Sequence, residues 1–594
     1  MKAQKTKALV AGVAALTLAL TACSSSGNNS SATTGANPPP ANTGGATTPA
    51  PATTTQAAGQ GTLIYGESTE FPDNLQPLIA AGNATSIANL EVRMFNGPYR
   101  ITPQIGYQVD PDQVVGTPTN RIVNGQQVVE FHMNPKAVWD DGSPITANDW
   151  VFTWQTERST DPKQGGCAAL LSTTGWDQLQ SVKAVDQHTV KMTYKKGQDF
   201  PDWQAILTSA PLSKHIYDQG SAAATCSYIT KGWPVKSGIP AGVTNGPWML
   251  QPDKIDATNK VFQLTPNPKY WGNPPKLASL VDQYIGSDSD TNVKALQNQE
   301  VNMIYPQPQL DMVANLDKLS GVTTEINFGT AFEHLDFNTK VPLLDNPKIR
   351  QAIAYAIDRP ALVNATVGQF SDKATVLGNR LILSNQPGYE DHSGGYAHQN
   401  LAKAKQLLQQ AGCTVGNAST VTTCNSKPLR FTVETTQDNP LRDQTITIIA
   451  QQVKAVGVQL SEDADPDIFA GTDKPHSLVS EGFQIALFAW VGGPNISANQ
   501  SIYISPKHGQ QQNYTQAGND QIDAALHKMA TSPNTTLEKK YANEADKLLW
   551  DQMATLPLYQ KPTFLAYDSN FKGIGDNPTQ AGPLWNSDTI SVAS

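Results

Sequence analysis

Phe131-His-Met-Asn-Pro-Lys-Ala-Val-Trp139-Asp-Asp-Gly142-Ser-Pro-Ile-Thr-Ala-Asn-Asp149-Trp-Val-Phe152 runs from a strand into a helix through one tight polar turn. Asp140-Asp141-Gly142-Ser143-Pro144 supplies the turn chemistry. Thr146, with Asp149 three residues on, forms a capping box, and Trp150, Phe152 and Trp154 follow on a helix expected to bury them. Upstream, Asn124-Gly125 between apolar pairs reads as a hairpin turn, and 62–65 as a short strand ending at Gly66. Downstream, Val190, Met192 and Tyr194 alternate with polar residues as in a half-buried strand. Pro347 starts a helix whose Ile349, Ala352, Ile353, Ala356 and Ile357 share one face. Helices at 401–410 and 446–456 end at Gly412 and Gly457, and 458–460 is strand-like. The last helical patterns are 519–530 and 537–553, ahead of Leu556-Pro557-Leu558-Tyr559. Such alternation marks a mixed α/β protein.

The chain of 594 residues is several times the usual domain size, so two or more lobes are expected. Apolar residues at 39% exclude a disordered chain, and 44 Gly with 41 Pro argue against a helical bundle. The net charge is −9 and no Lys/Arg run lies outside the N-terminus, so nucleic acid is not an expected partner.

Lys2, Lys5 and Lys7 precede an uncharged apolar run at 8–20, too short to span a bilayer and right for an export signal. From 24 to 61 there is no charge, no aromatic and no Leu, Ile or Val, only Ser, Thr, Gly, Ala, Pro, Asn and Gln, so this segment cannot bury a core. A tether of this length reaches on the order of 35 Å. Beyond Cys23, the cysteines Cys167, Cys226, Cys413 and Cys424 form an even set with three possible pairings, of which 167–226 with 413–424 is preferred. No CxxC occurs, which weakens zinc-ribbon and thioredoxin readings.

Leu20-Thr21-Ala22-Cys23 resembles the lipobox of bacterial lipoproteins, which implies cleavage after 22 and acylation of Cys23. The rest resembles the oligopeptide/dipeptide substrate-binding proteins of ABC importers, solute-binding family 5, over nearly its whole length. The 131–152 stretch is similar to that family's signature. Asn245-Gly-Pro-Trp248, Asn267-Pro-Lys-Tyr-Trp-Gly272, Ala295-Leu-Gln-Asn-Gln-Glu-Val-Asn302 and the 337–359 segment resemble its further motifs. The resemblance implies a two-lobe periplasmic-binding-protein fold (type II, cluster C), α/β, with an extra subdomain in the first lobe. Expected boundaries are 1–22 signal, 23–61 lipidated Cys and tether, 62–90 with 228–326 and 556–594 as lobe 1, 91–227 as the subdomain, and 327–555 as lobe 2.

Gly482-Phe-Gln-Ile-Ala-Leu-Phe-Ala-Trp490-Val-Gly-Gly493-Pro-Asn495 is similar to the family loop placed at the cleft. Trp490 keeps its aromatic, while Gly493 stands where peptide binders carry the acid that pairs with the ligand's ammonium. Trp490, Phe488, Asn495, His334 and Glu70 are the candidate ligand contacts, with Glu67 as another possible source of charge.

No GxSxG, HExxH or GxxxxGK[ST] occurs, and Asp463-Ala-Asp465-Pro-Asp467 fails as a calcium loop, with Ile468 at its glycine position and Lys474 at its final acid. No enzyme activity, cofactor or metal is expected. The expectation is a monomeric, exported, lipid-anchored receptor on the outer face of the cell membrane. It would capture oligopeptides between hinged lobes and deliver them to a permease with its ATPases. The same fold binding a sugar or other small polar solute, or a surface sensor without transport, is the alternative.

Overall fold

The computed structural model describes residues 59–593 apart from 308, 467, 470–474 and 509–511. The export signal, Cys23 and almost all of the tether lie outside these residues. The decisive stretch folds as its chemistry dictates. The strand Gln126–Met133 leads through the turn into the helix Ala147–Glu157, whose capping box between Thr146 and Asp149 is complete. Asn124 and Gly125 both take positive φ, 52° and 76°, as a hairpin turn of this twist requires. The four antiparallel strands Val114–Val123, Gln126–Met133, Thr189–Tyr194 and Leu179–Ala184 form a sheet of their own. The helix Ala147–Glu157 joins two cores: Trp150 packs with Trp139 and Phe131 over this sheet, and Phe152 packs with Leu63 and Tyr65 of the first lobe.

The main sheet has ten strands and runs through both lobes. On the first-lobe side, Thr62–Glu67 pairs parallel with Ser279–Tyr284 and Met303–Ile304. On the second-lobe side, Arg430–Thr436 lies parallel to both Gln459–Asp465 and Ile485–Val491. Between them two long antiparallel strands, Val322–Phe337 and Thr555–Asp568, cross from one lobe to the other. Their register breaks between Phe328 and Phe332. The carbonyls freed there are not left bare: Asn385 Nδ2 donates to Phe328 O at 2.8 Å and Gly329 O at 3.1 Å, and Gln560 Nε2 also donates to Gly329 O. A Cβ at Gly329 would lie 1.5 Å from Pro578 O, so only glycine permits this approach.

Leu556, Leu558 and Tyr559 belong to the second-lobe core with Leu335 and Phe337, whereas Leu565 packs in the first. The returning strand therefore serves both cores, with Tyr559 in one and Leu565 in the other. The helix expected at 446–456 begins at Pro440, because Asn439 caps it by accepting from Arg442 N, and it ends at Gly457 through a 3-10 turn. Asp463 and Asp465, read as a loop, close the edge strand Gln459–Asp465, on which Glu462 is exposed and Asp463 half-buried. Its parallel hydrogen bonding to Arg430–Thr436 carries the strand past the short apolar run that marks its start.

Cys167 is bonded to Cys226 and Cys413 to Cys424, with Cα–Cα distances of 5.0 and 4.1 Å. The first closes a separation of 59 residues and the second one of 11. Loop-closure entropy then assigns roughly 4 kcal/mol to the first and roughly 3 to the second. Replacing Cys167 and Cys226 by Ser is expected to lower the urea midpoint more than the same change at Cys413 and Cys424; the reverse order would show that native packing around each bridge, and not loop length, sets its contribution.

Candidate functional site

The site follows from strand periodicity. On Ile485–Val491, Ala486, Phe488 and Trp490 share one face; in register on the crossing strand stand Asp336, His334 and Phe332. Three rings lie nearly parallel: Trp490 stacks on Tyr514 with centroids 5.7 Å apart and planes at 3°, and on His334 at 6.1 Å and 8°. Phe488 meets all three edge-on, with its centroid 4.3 Å from His334, 5.2 Å from Trp490 and 6.1 Å from Tyr514.

Phe488 and His334 are 0% exposed, so they hold the ring set from beneath, and Trp490 is the partly buried member. Both nitrogens of His334, Nε1 of Trp490 and the hydroxyl of Tyr503 are buried without a hydrogen-bond partner among the described residues. His334 Nε2 approaches Asp336 Oδ2 at 3.6 Å, beyond hydrogen-bond distance. Unspent donors and acceptors beside aromatic faces equip the patch for a polar solute with an apolar side.

The chain after Trp490 is clipped from both lobes. Gly492 N donates to Thr330 O at 3.1 Å on the crossing strand, and Gln580 N, from the first-lobe segment, donates to Gly492 O at 2.9 Å. A Cβ at Gly493 would stand 3.0 Å from Gln580 Nε2 and 3.1 Å from Asn495 Oδ1. Two neutral amide side chains thus surround the position at which peptide binders are expected to carry an acid. Asn495 starts the 3-10 helix Ile496–Asn499.

Glu70 is exposed, and its backbone carbonyl accepts from Ser86 Oγ at 3.1 Å. Glu67 is buried instead and accepts from Thr69 N and Asn89 Nδ2, both at 2.8 Å. Burial pushes its carboxyl up despite these bonds. Asp282 is 0% exposed, both of its oxygens lack partners among the described residues, and burial followed by the charge of Glu67 pushes it well above the ordinary range. Burial, then the charges of Glu70, Asp438 and Glu67, raises the Tyr284 hydroxyl.

On the opposite face of the crossing strand, Glu333 accepts from Arg442 Nη2 at 3.0 Å and lies 3.6 Å from Lys561 Nζ. Burial works against the Glu333 carboxylate, but Arg442 and Lys561 outweigh it and hold it below its usual range. Two cations to one anion leave a surplus positive charge at the crossing, and burial brings Lys561 down to about 8.

Among the described residues, Glu434, Asp463 and His476 bring ligand atoms within 4.8 Å of one another. Sequence spacing conceals this group. Glu434 already accepts from Thr432 Oγ1 at 2.8 Å, and His476 is exposed. A surface hollow of about 460 Å³ lies elsewhere in the second lobe, lined by Thr339, Arg350 and Gln552 among others. There Arg350 is spent on the carbonyls of Leu344, Gln552 and Met553. Phe332, Tyr514 and Gln580 carry no signal in the sequence, because only register and tertiary packing bring them to the Trp490 loop.

Residues 119–513 match the profile of bacterial extracellular solute-binding proteins, family 5 Middle. The chain belongs to this family. It is 26% identical over 511 residues to the oligopeptide-binding protein OppA of Mycobacterium bovis, covering 85% of this chain and 81% of that protein. Among solved structures, the periplasmic EDTA-binding protein EppA superposes with a TM-score of 0.78 at 23% identity, over 91% of this chain and 98% of that one. Oligopeptide-binding AppA from Bacillus subtilis, in complex with a nonapeptide, gives 0.74 at 17% identity over 91% and 100%. The fold of these neighbours is the two-lobe fold of this chain, and such relatives are substrate-binding proteins, not enzymes. No helix among the described residues is long and apolar enough to cross a membrane.

Lys561 yields a prediction of known sign. The folded protein gives up this proton near pH 8, while the unfolded chain keeps it to about pH 10.4. Its charge therefore costs stability below pH 8, and stability is regained as pH rises through that window. Lys561→Met is expected to add on the order of 2–3 kcal/mol at pH 7 and almost nothing at pH 10, measured by urea denaturation at both. An equal gain at both pH values would assign the effect to packing.

Proposed function

We propose that this protein is the extracytoplasmic receptor of an ABC importer, capturing oligopeptides between two hinged lobes and presenting the closed complex to a permease with its ATPases. One observation carries the reading: the loop that bears Trp490 is bonded to both the crossing strand and the first lobe, so its position depends on how the lobes meet. The surrounding chemistry supports the same conclusion. Aromatic faces at Trp490 and Tyr514 suit side chains, unspent polar atoms suit a peptide main chain, and exposed Glu70 is the acid proposed for an ammonium group. The sequence relative named for oligopeptide binding points the same way.

In this reading the lobes are 62–90 with 228–326 and 556–594, and 327–555, with 91–227 as the subdomain. Cys23 carries the lipid anchor and the protein works as a monomer outside the membrane. Closure draws its energy from contacts that both lobes make only in the closed state.

A non-peptide polar solute is the second reading. It is favoured by the neutral amides around Gly493 and by the EDTA-binding neighbour.

Native mass spectrometry of the purified protein, weighing and fragmenting whatever co-purifies, separates the two: a mixed peptide population supports the first reading, and a single non-peptide mass the second. Trp490→Ala is expected to weaken binding of the identified solute more than tenfold by calorimetry with an unchanged melting temperature. Unchanged affinity would remove Trp490 from the site.

A further inference from the structure

Two residues beyond Asn495, the candidate loop meets the subdomain. Ser497 N donates to Asp202 Oδ2 at 2.9 Å, and Ser497 Oγ donates to Glu538 Oε1 at 2.6 Å. The two carboxyls thus converge on one serine, close enough for each to shift the titration of the other. They come from distant parts of the chain. Asp202 adjoins Trp203 in the core of the four-stranded sheet, and Glu538 lies in the first turn of the second-lobe helix Thr535–Gln552. Both are buried, at 7% and 1% exposure. A second contact reinforces the junction: Gln178 Nε2, from the subdomain, donates to Ala530 O at 2.7 Å.

Two ionised carboxylates cannot hydrogen-bond to each other, since neither has a proton to donate. Burying both charges together would add repulsion in a medium that screens it poorly. The groups facing the pair do not remove the conflict. Lys539, on the same helix, lowers both acids by its charge but ranks behind burial, and the N-terminal end of that helix favours an anion only modestly. Tyr107, from the strand Gly106–Val109, presents a buried hydroxyl without a partner among the described residues, itself pushed up by burial and then by Asp202 and Glu538.

We propose that lobe closure in this protein is proton-coupled: the Asp202–Glu538 pair forms only when the two carboxyls share one proton, so the closed state takes up a proton that the open state leaves in solution. This rests on the hinge-closure reading above and adds a regulation of the same site, because the latched residue Ser497 belongs to the loop of Trp490 and Asn495. The electrostatics agree in sign. Burial, then the charge of Asp202, brings Glu538 to about 9 with the pair assembled as it is here, against about 4 for an ordinary carboxyl freed into solvent. Between those values closure weakens as pH rises, by up to tenfold in the closed-to-open ratio per pH unit.

Small-angle X-ray scattering of the purified, solute-free protein from pH 5 to 9 tests this without any assumption about the solute. The wild type is expected to be most compact at low pH and to expand as pH rises. Glu538→Gln, whose amide supplies the missing donor, is expected to stay compact across the range, and Asp202→Asn to do the same through the other partner. Asp202→Ala, which removes the latch, is expected to be expanded throughout. If the wild type and both amide variants share one pH profile, flat or sloped, the proposal is overturned. Should the peptide reading fail in mass spectrometry while the amide variants flatten the scattering profile, the latch stands and only the solute changes.

Discussion

The architecture depends on the pairing of two long strands that belong to both lobes at once. An antiparallel ladder resists bending while every rung is made, and here the register breaks between Phe328 and Phe332 and shifts again between Glu333 and His334. Orphaned carbonyls would normally make such a gap costly. Asn385 and Gln560 meet that demand with side-chain amides, so the ladder is interrupted without burying unsatisfied groups. Side-chain bonds of this kind can lengthen or re-form more readily than a backbone ladder. Gly329 then lets the first-lobe segment at Pro578 lie directly against the gap. The crossing, its surplus positive charge and the Trp490 loop form one mechanical unit because they share these few residues.

Local chemistry makes much of this legible in advance. The Asn124-Gly125 turn, the Thr146–Asp149 capping box and the glycine stops at 412 and 457 act over a few residues, and each does what its type requires. The export signal and tether are legible as composition, though they lie outside the described residues. The helix that begins at Pro440 reads as shorter in the sequence because Leu441-Arg-Asp-Gln-Thr445 shows little apolar periodicity, while the Asn-Pro start carries the true signal.

Non-local geometry defeats sequence reasoning elsewhere. Trp490 stands out through the likeness of its loop to the family's cleft loop, but nothing in Phe332 or Asp336 announces that register will set them beside Ala486 and Trp490. Phe488 reads as a contact and is a foundation, since alternation on a buried strand says which face a residue shares and not how deep it lies. Glu67 and Asp282 are separated by more than two hundred positions and meet through a parallel strand pair. Asp202 and Glu538 are ordinary acids in sequence and become a pair only through tertiary approach.

The ten-stranded sheet ends on Gln459–Asp465, with Glu462 exposed on this last strand. An open edge is a template for another chain, and two copies meeting there would align acid against acid in a protein already at −9. Crowding many copies into a thin layer therefore raises osmotic repulsion between them before it raises the chance of fibril-like stacking. The edge that completes the sheet also works as a spacer.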